Sequence, residues 1–169
     1  MKILIFIPMY NCEKQISRVI SQFDEDTQKL FDEILIVDNI SEDNSLKAAE
    51  ESLKKLNNIK TTLIQNKENV SLGGSHKVAF NYAIENNYDY IIVLHGDDQG
   101  SIKDIVSYIK DKTAFQYDAF LGARFMKGAT IKGYSFIRIA GNHVLKGWMI
   151  YELWSVPASA GKKALLYRS

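Results

Sequence analysis

Tyr90-Ile91-Ile92-Val93-Leu94-His95-Gly96-Asp97-Asp98-Gln99 is an apolar run that ends abruptly in a polar cluster. A short continuous run of this kind reads as a strand buried on both faces, the form a parallel sheet requires. Two earlier stretches share it: Lys2 to Ile7, ended by Pro8, and Glu33 to Val37, stopped at Asp38. Lys60 to Gln65 reads as a further strand, and residues 118–122 as a fifth. Helical spacing lies between them. Ile16, Val19, Ile20 and Phe23 make one apolar face, as do Leu46, Ala49, Leu53 and Leu56 behind the cap-rich turn Ser41-Glu42-Asp43-Asn44. Val78, Ala79, Ala83 and Ile84 mark a helix preceded by Gly73-Gly74, and Ile102, Ile105, Val106 and Ile109 mark another. Strands alternating with helices predict an α/β fold, a mostly parallel central sheet with helices on both faces. In such sheets ligands bind outside the carboxyl ends of the strands. The polar clusters Pro8-Met9-Tyr10-Asn11, Asp38-Asn39 and His95 to Gln99 all fall there.

Composition narrows the function classes. The chain has 169 residues, the size of one domain, with 46% hydrophobic and 24% charged residues. Lys and Arg number 21 against 20 Asp and Glu, so there is no basic field to suggest a nucleic-acid partner. The single cysteine, Cys12, excludes a disulfide framework and a Cys-rich zinc site and fits a cytoplasmic location. No stretch approaches the roughly 18 apolar residues of a membrane span. Residues 136–154 are interrupted by Arg138, Lys146 and Glu152.

Several residue types could carry chemistry. Adjacent Asp97 and Asp98 repel each other unless a cation or donor sits between them. Oxygen ligands such as Asp97 and Gln99 suit Mg²⁺ or Mn²⁺, which bridge to substrate phosphates. Alternatively the cluster is a solvated turn, with Asp98 capping the next helix. Asp38 either receives a ribose or base or caps a turn, and Tyr10 either stacks a base or packs. Asn69 to Ser75 is either an anion loop or a helix start, and it lacks the Gly-Lys-Ser/Thr ending of a P-loop. Arg124 and Arg138 are either phosphate ligands or solvated. Cys12 and His143 have no triad-like partners nearby in sequence and read as structural. No Gly-x-Gly-x-x-Gly follows the first strand, which counts against an NAD site, and there is no Gly-x-Ser-x-Gly elbow.

The segments Ile7-Pro8-Met9-Tyr10-Asn11, Ile36 to Ser45 and Leu94 to Gln99 together resemble the family-two glycosyltransferases of the GT-A, nucleotide-diphospho-sugar transferase fold. Gly122-Ala123-Arg124-Phe125, with Arg138 fourteen residues beyond Arg124, is most similar to the polyprenol-phosphate sugar transferases of the dolichyl-phosphate mannose synthase type. The resemblance covers roughly residues 2–145. It implies inverting transfer of a sugar from a UDP- or GDP-linked donor to a polyprenyl phosphate or growing glycan. It also implies a Mg²⁺- or Mn²⁺-dependent enzyme of cell-envelope polysaccharide synthesis, contacting a membrane surface from the cytoplasmic side. By this resemblance Pro8, Tyr10, Asn11, Asp38 and Asn39 would bind the nucleotide. Asp97, Gln99 and His95 would hold the metal, and Asp97, Arg124 and Arg138 would serve catalysis. Two residues depart from the family pattern: His95 replaces the first metal-motif acid, and Asn39 a second acid after Val37. The segment Glu152 to Lys163 only faintly echoes the family's continuation. Residues 1–169 are therefore expected to be one catalytic domain without its acceptor-side segment. The alternatives are an inactive nucleotide-sugar-binding protein of the same fold, or a module that works with a partner chain. Trp148, Tyr151 and Trp154 either meet a membrane interface or pack on a core.

Overall fold

All seven residues of β1 (Ile3–Met9) are buried, and so are all six of β2 (Glu33–Asp38). A computed structural model of the chain describes residues 1–121 and the strand Lys163–Leu166. These belong to one compact unit, Met1–Gly122 with Lys162–Ser169. With β3 (Lys60–Gln65), β4 (Tyr90–Val93) and β5 (Lys163–Leu166) they form a sheet of order β3-β2-β1-β4-β5. Every pairing is parallel. Phe6, in the middle of β1, sits between Leu35 of β2 and Val93 of β4.

The pleat sorts side chains by parity. Ile3, Ile5, Ile7 and Met9 face one core with Ile34 and Ile36. Into it α1 (Glu13–Ser21) sends Ile16, Val19 and Ile20, α3 (Ser45–Leu53) sends Ala49 and Leu53, and α5 (Lys103–Lys110) sends Ile105 and Ile109. Leu4, Phe6, Leu35 and Val37 face the opposite core, which α4 (Ser71–Glu85) covers with Ala79 and Ala83. Burying each large aliphatic side chain contributes about 1.5–3 kcal/mol. The expected helices on both faces of a parallel sheet are present.

Three details differ from the sequence reading. Residues 118–121 form no strand beyond a one-residue bridge at Ala119; the position beside β4 belongs to β5, with Ile92 opposite Leu165. Gly73 and Gly74 lie inside α4 rather than before it. A four-residue helix, α2 (Glu25–Gln28), follows α1 and is capped by Asp24, whose carboxylate accepts from the Thr27 N–H at 2.9 Å. Among the described residues, no helix is long and apolar enough to cross a membrane.

Candidate functional site

The strand order reverses between β1 and β4, because β2 and β3 lie to one side of β1 and the later strands to the other. A parallel sheet opens a crevice at such a switch point, outside the carboxyl ends of the two strands. A cleft of about 430 Å³ occupies this position. Pro8, Met9, Tyr10 and Cys12 from the end of β1 line it, with His95, Gly96 and Asp97 from the end of β4. Asn39 comes from the end of β2, and Asn69, Ser71, Leu72 and Ser75 from the start of α4. Tyr10 and Leu72 are about half exposed there, at 47% and 49%.

The loops around the cleft are held in unusual backbone. Asn11, Ile40, Ser71 and Asp98, one in the stretch that follows each of the first four strands, with Ser71 at the start of α4, all have positive φ, between 48° and 61°. For β-branched Ile40 this conformation is an outlier. Strain of this kind costs about 1–3 kcal/mol per residue and persists only where surrounding contacts impose it. Those contacts are visible. The Asp38 carboxylate is fully buried and accepts from the Ser41 N–H and hydroxyl and from Gln65 Nε2 at 2.9 Å. Ser41 Oγ in turn accepts from the Asn11 N–H at 3.0 Å, and Asn11 Oδ1 accepts from the Glu42 N–H at 2.8 Å. Asp43 accepts from the N–H groups of Glu13 and Ser45, and Ser45 Oγ accepts from the Cys12 N–H at 2.7 Å. Burial alone would raise the Asp43 carboxyl, but the Ser45 and Glu13 donors outweigh it and hold the group below the ordinary range. The cap-rich turn therefore locks the loop after β1 to the loop after β2.

Asn39 does the same between the second and third loops. Its Nδ2 donates to Asn69 Oδ1 at 2.8 Å, while its Oδ1 accepts from Asn66 Nδ2 and from the Val70 N–H, both at 3.0 Å. Asn69 Oδ1 also accepts from the Ser71 N–H, which fixes the wall formed by the start of α4. An aspartate in place of Asn39 would lose the donor to Asn69. The amide that departs from the family's usual acid is thus matched to its surroundings.

The cluster after β4 divides its labour. Gly96 donates its N–H to the Pro8 carbonyl at 3.2 Å, and a Cβ there would stand 3.1 Å from that oxygen and 3.2 Å from Cys12 Sγ. The close approach of the two loops needs glycine. Asp97 is exposed, and it is the one carboxylate among the described residues lining the cleft. Its Oδ1 accepts from the Gln99 N–H at 3.1 Å. Asp98 neither lines the cleft nor caps α5: it pairs with Arg18 Nε at 2.7 Å. His95 lines the cleft and contacts the ring of His76 on α4, with centroids 6.4 Å apart. Burial pushes the Cys12 thiol up to about 11, which makes it a packing residue rather than a nucleophile.

Of the residues singled out from sequence, Pro8, Tyr10, Asn39, His95 and Asp97 share the cleft, while Asn11, Asp38 and Gln99 do not line it. Arg124, Arg138, His143, Trp148, Tyr151 and Trp154 lie outside the described residues. Sequence reasoning passed over Ser71, Leu72 and Ser75 as individual wall residues, and Arg18 and Gln22 behind the β4 loop. The last two are four residues apart, hence on one side of a helix, and that spacing was their available signal. Among the described residues, no three His, Cys, Asp or Glu side chains gather in a way that could hold a metal ion.

The glycosyl transferase family 2 model matches residues 4–158 of the chain. An uncharacterized protein of Methanocaldococcus jannaschii is 34% identical over 125 residues, which are 73% of this chain and 52% of the relative. The fold is similar to that of Staphylococcus aureus TarS 1-349. The TM-score is 0.57 at 23% identity for one crystal structure, covering 80% of this chain, and 0.55 at 20% identity, covering 78%, for the complex with UDP. The chain spans about half the length of the archaeal relative and 38% of each TarS chain. With the family pattern running through nearly all of its length, the chain belongs to glycosyl transferase family 2.

Proposed function

We propose that the protein binds a nucleotide-sugar in the β1/β4 cleft and transfers the sugar, with inversion, to an acceptor. The observation that carries this reading is the cleft at the sheet's switch point, with exposed Tyr10 on one wall and Asp97 as its acid. An exposed aromatic ring beside a proline offers a face on which a nucleobase stacks. Asp38 reaches a base only by exchanging one of its present donors, Ser41 or Gln65. TarS was crystallised with UDP, which favours a uridine diphosphate donor here.

The metal implied by the family fits in a restricted sense. One exposed carboxylate, with His95 and Gln99 in the same loop, is a partial donor set. That suits an ion such as Mg²⁺ or Mn²⁺, which keeps oxygen ligands from a diphosphate. Asp97 would hold it, and when bound it supplies Lewis-acid stabilisation of the leaving nucleoside diphosphate. In the same reading Arg124 and Arg138 neutralise phosphates of the donor or of a polyprenyl-phosphate acceptor, at a membrane surface.

Calorimetry with UDP and with GDP, each with and without Mn²⁺, tests the reading. UDP should bind more tightly with Mn²⁺, and Asp97→Ala should remove most of that increment, on the order of tenfold or more. An increment preserved in Asp97→Ala would remove Asp97 from the metal. No binding of either nucleotide would overturn the donor site. Binding without transfer to polyprenyl phosphate in a radiolabelled-sugar assay would point to a nucleotide-sugar-binding role instead.

A further inference from the structure

The loop that carries Asp97 is gripped from behind by α1. Gln22, the residue that ends α1, turns its amide on two points of the loop. Nε2 donates to the Gly100 carbonyl at 3.2 Å, and Oε1 accepts from the Ile102 N–H at 2.9 Å. The same Nε2 lies 3.5 Å from Asp98 Oδ1. One turn earlier, Arg18 Nε donates to Asp98 Oδ2 at 2.7 Å while its Nη1 donates to the Lys14 carbonyl, so the guanidinium is tied to its own helix. Asp98 has a φ of 60°, a conformation that an aspartate tolerates but does not prefer. On the other side of Asp97, the Gly96 N–H is fastened to the Pro8 carbonyl. Asp97 is thus the residue between two fastened neighbours, Gly96 held to the Pro8 carbonyl and Asp98 held to Arg18.

We propose that Gln22 and Arg18 are positioning residues for Asp97: without touching a ligand, they set how well that carboxylate meets the donor's metal–diphosphate group. The assignment rests on the donor-site reading above. Their chemistry is specific. Glutamate at position 22 would keep the acceptor for Ile102 but lose the donor to Gly100, and would set a second negative charge beside Asp98. Methionine at 22 keeps the shape and loses both bonds. Glycine at 98 keeps the turn without Arg18, because glycine adopts positive φ freely. Alanine at 98 loses both the pair and the ease of turning.

The test has two readouts on the same set of variants. Amide hydrogen exchange at Gln99, whose N–H is bonded to Asp97 Oδ1, reports the loop directly and needs no nucleotide. Calorimetric UDP affinity with and without Mn²⁺ reports the consequence. Gln22→Met, Gln22→Glu and Arg18→Met should speed Gln99 exchange and cut the Mn²⁺-dependent gain in UDP affinity roughly 3- to 10-fold, leaving metal-free affinity within about twofold. Asp98→Gly should retain more of the gain than Asp98→Ala. Unchanged Gln99 exchange in folded Gln22→Met and Arg18→Met would overturn the proposal. So would a fall in metal-free affinity equal to the fall with metal, since that is general destabilisation. If the unaltered protein bound no UDP at all, the donor-site reading would fail by itself, and Gln99 exchange would still decide whether α1 positions Asp97.

Discussion

Gly96 and Asn39 show how tightly the cleft is specified by single atoms. Adding a methyl group at Gly96 brings a carbon to 3.1 Å from the Pro8 carbonyl oxygen, which belongs to the central strand and has no room to retreat. Gly96→Ala should therefore destabilise the protein by about 1–3 kcal/mol, as overpacking does. Urea denaturation measures it, and an unchanged midpoint would mean that the loop gives way. Asn39 makes three side-chain hydrogen bonds that require a donor on one side and an acceptor on the other. Asn39→Asp turns the donor into an acceptor facing Asn69 Oδ1, at a cost of about 1–3 kcal/mol. Asn39→Asp combined with Asn69→Asp should be worse still. If instead the single aspartate matched the native stability, the bond to Asn69 would carry no weight.

At the scale of elements, α4 offers a paired test. Gly73 and Gly74 both lie in its first turn, yet their surroundings differ. Nothing lies within 4 Å of a Cβ at Gly73, whereas at Gly74 it would overlap Val70 Cβ. Gly73→Ala should raise stability by about 0.5–1 kcal/mol through helix propensity. Gly74→Ala should lower it, because β-branched Val70 has little rotamer freedom with which to yield. Thermal melts that moved in the same direction for both would contradict the packing at Val70. The same helix shows where sequence reading stops. Two adjacent glycines look like a loop, and only the approach of Val70 explains why the second belongs in a helix. Strands β1 to β4 are legible because each is a run matching its layer, while four-residue β5, with Lys163 at its start, has no such signal. Helix α2 is too short to display a face. The strand ends that gather at the cleft were legible for the same reason as the strands. Their fastenings were not: Asn39 meets Asn69 across 30 residues, and Arg18 meets Asp98 across 80. No local pattern encodes such pairs.

Across the whole molecule, the two ends of the sheet carry opposite kinds of polarity. The carboxyl end holds the cleft and its positive-φ loops. The amino end of β2 buries Glu33, whose carboxylate is fully enclosed and accepts from Thr62 Oγ1 at 2.6 Å, Tyr82 OH at 2.7 Å and Lys60 Nζ at 2.9 Å, and from the Tyr88 hydroxyl. These donors come from β3, from α4 and from the turn before β4, so one carboxylate ties β2 to its neighbour β3, to the covering helix and to the turn that follows that helix. Burial pushes the Glu33 carboxyl up, but the four donors outweigh it and hold the group below the ordinary carboxylate range. Burial and the same carboxylate push the Tyr88 hydroxyl well above its usual range. The sign of the pH effect follows. A carboxyl whose folded pKa is depressed contributes stability that is present above its unfolded value, about 4.3, and is lost as pH falls through the folded value. Stability should therefore decline on acidification below about pH 4.3, with Glu33 as a main contributor. Glu33→Gln should be less stable at neutral pH by about 1–3 kcal/mol, because an amide cannot accept from all four donors. Its stability should also depend less on pH over the acid range. Urea titrations between about pH 3 and 7 compare the two slopes. Parallel curves for the native protein and Glu33→Gln would mean that the acid sensitivity of the fold arises elsewhere, with Asp43 at the opposite end of the sheet as the next carboxylate to replace.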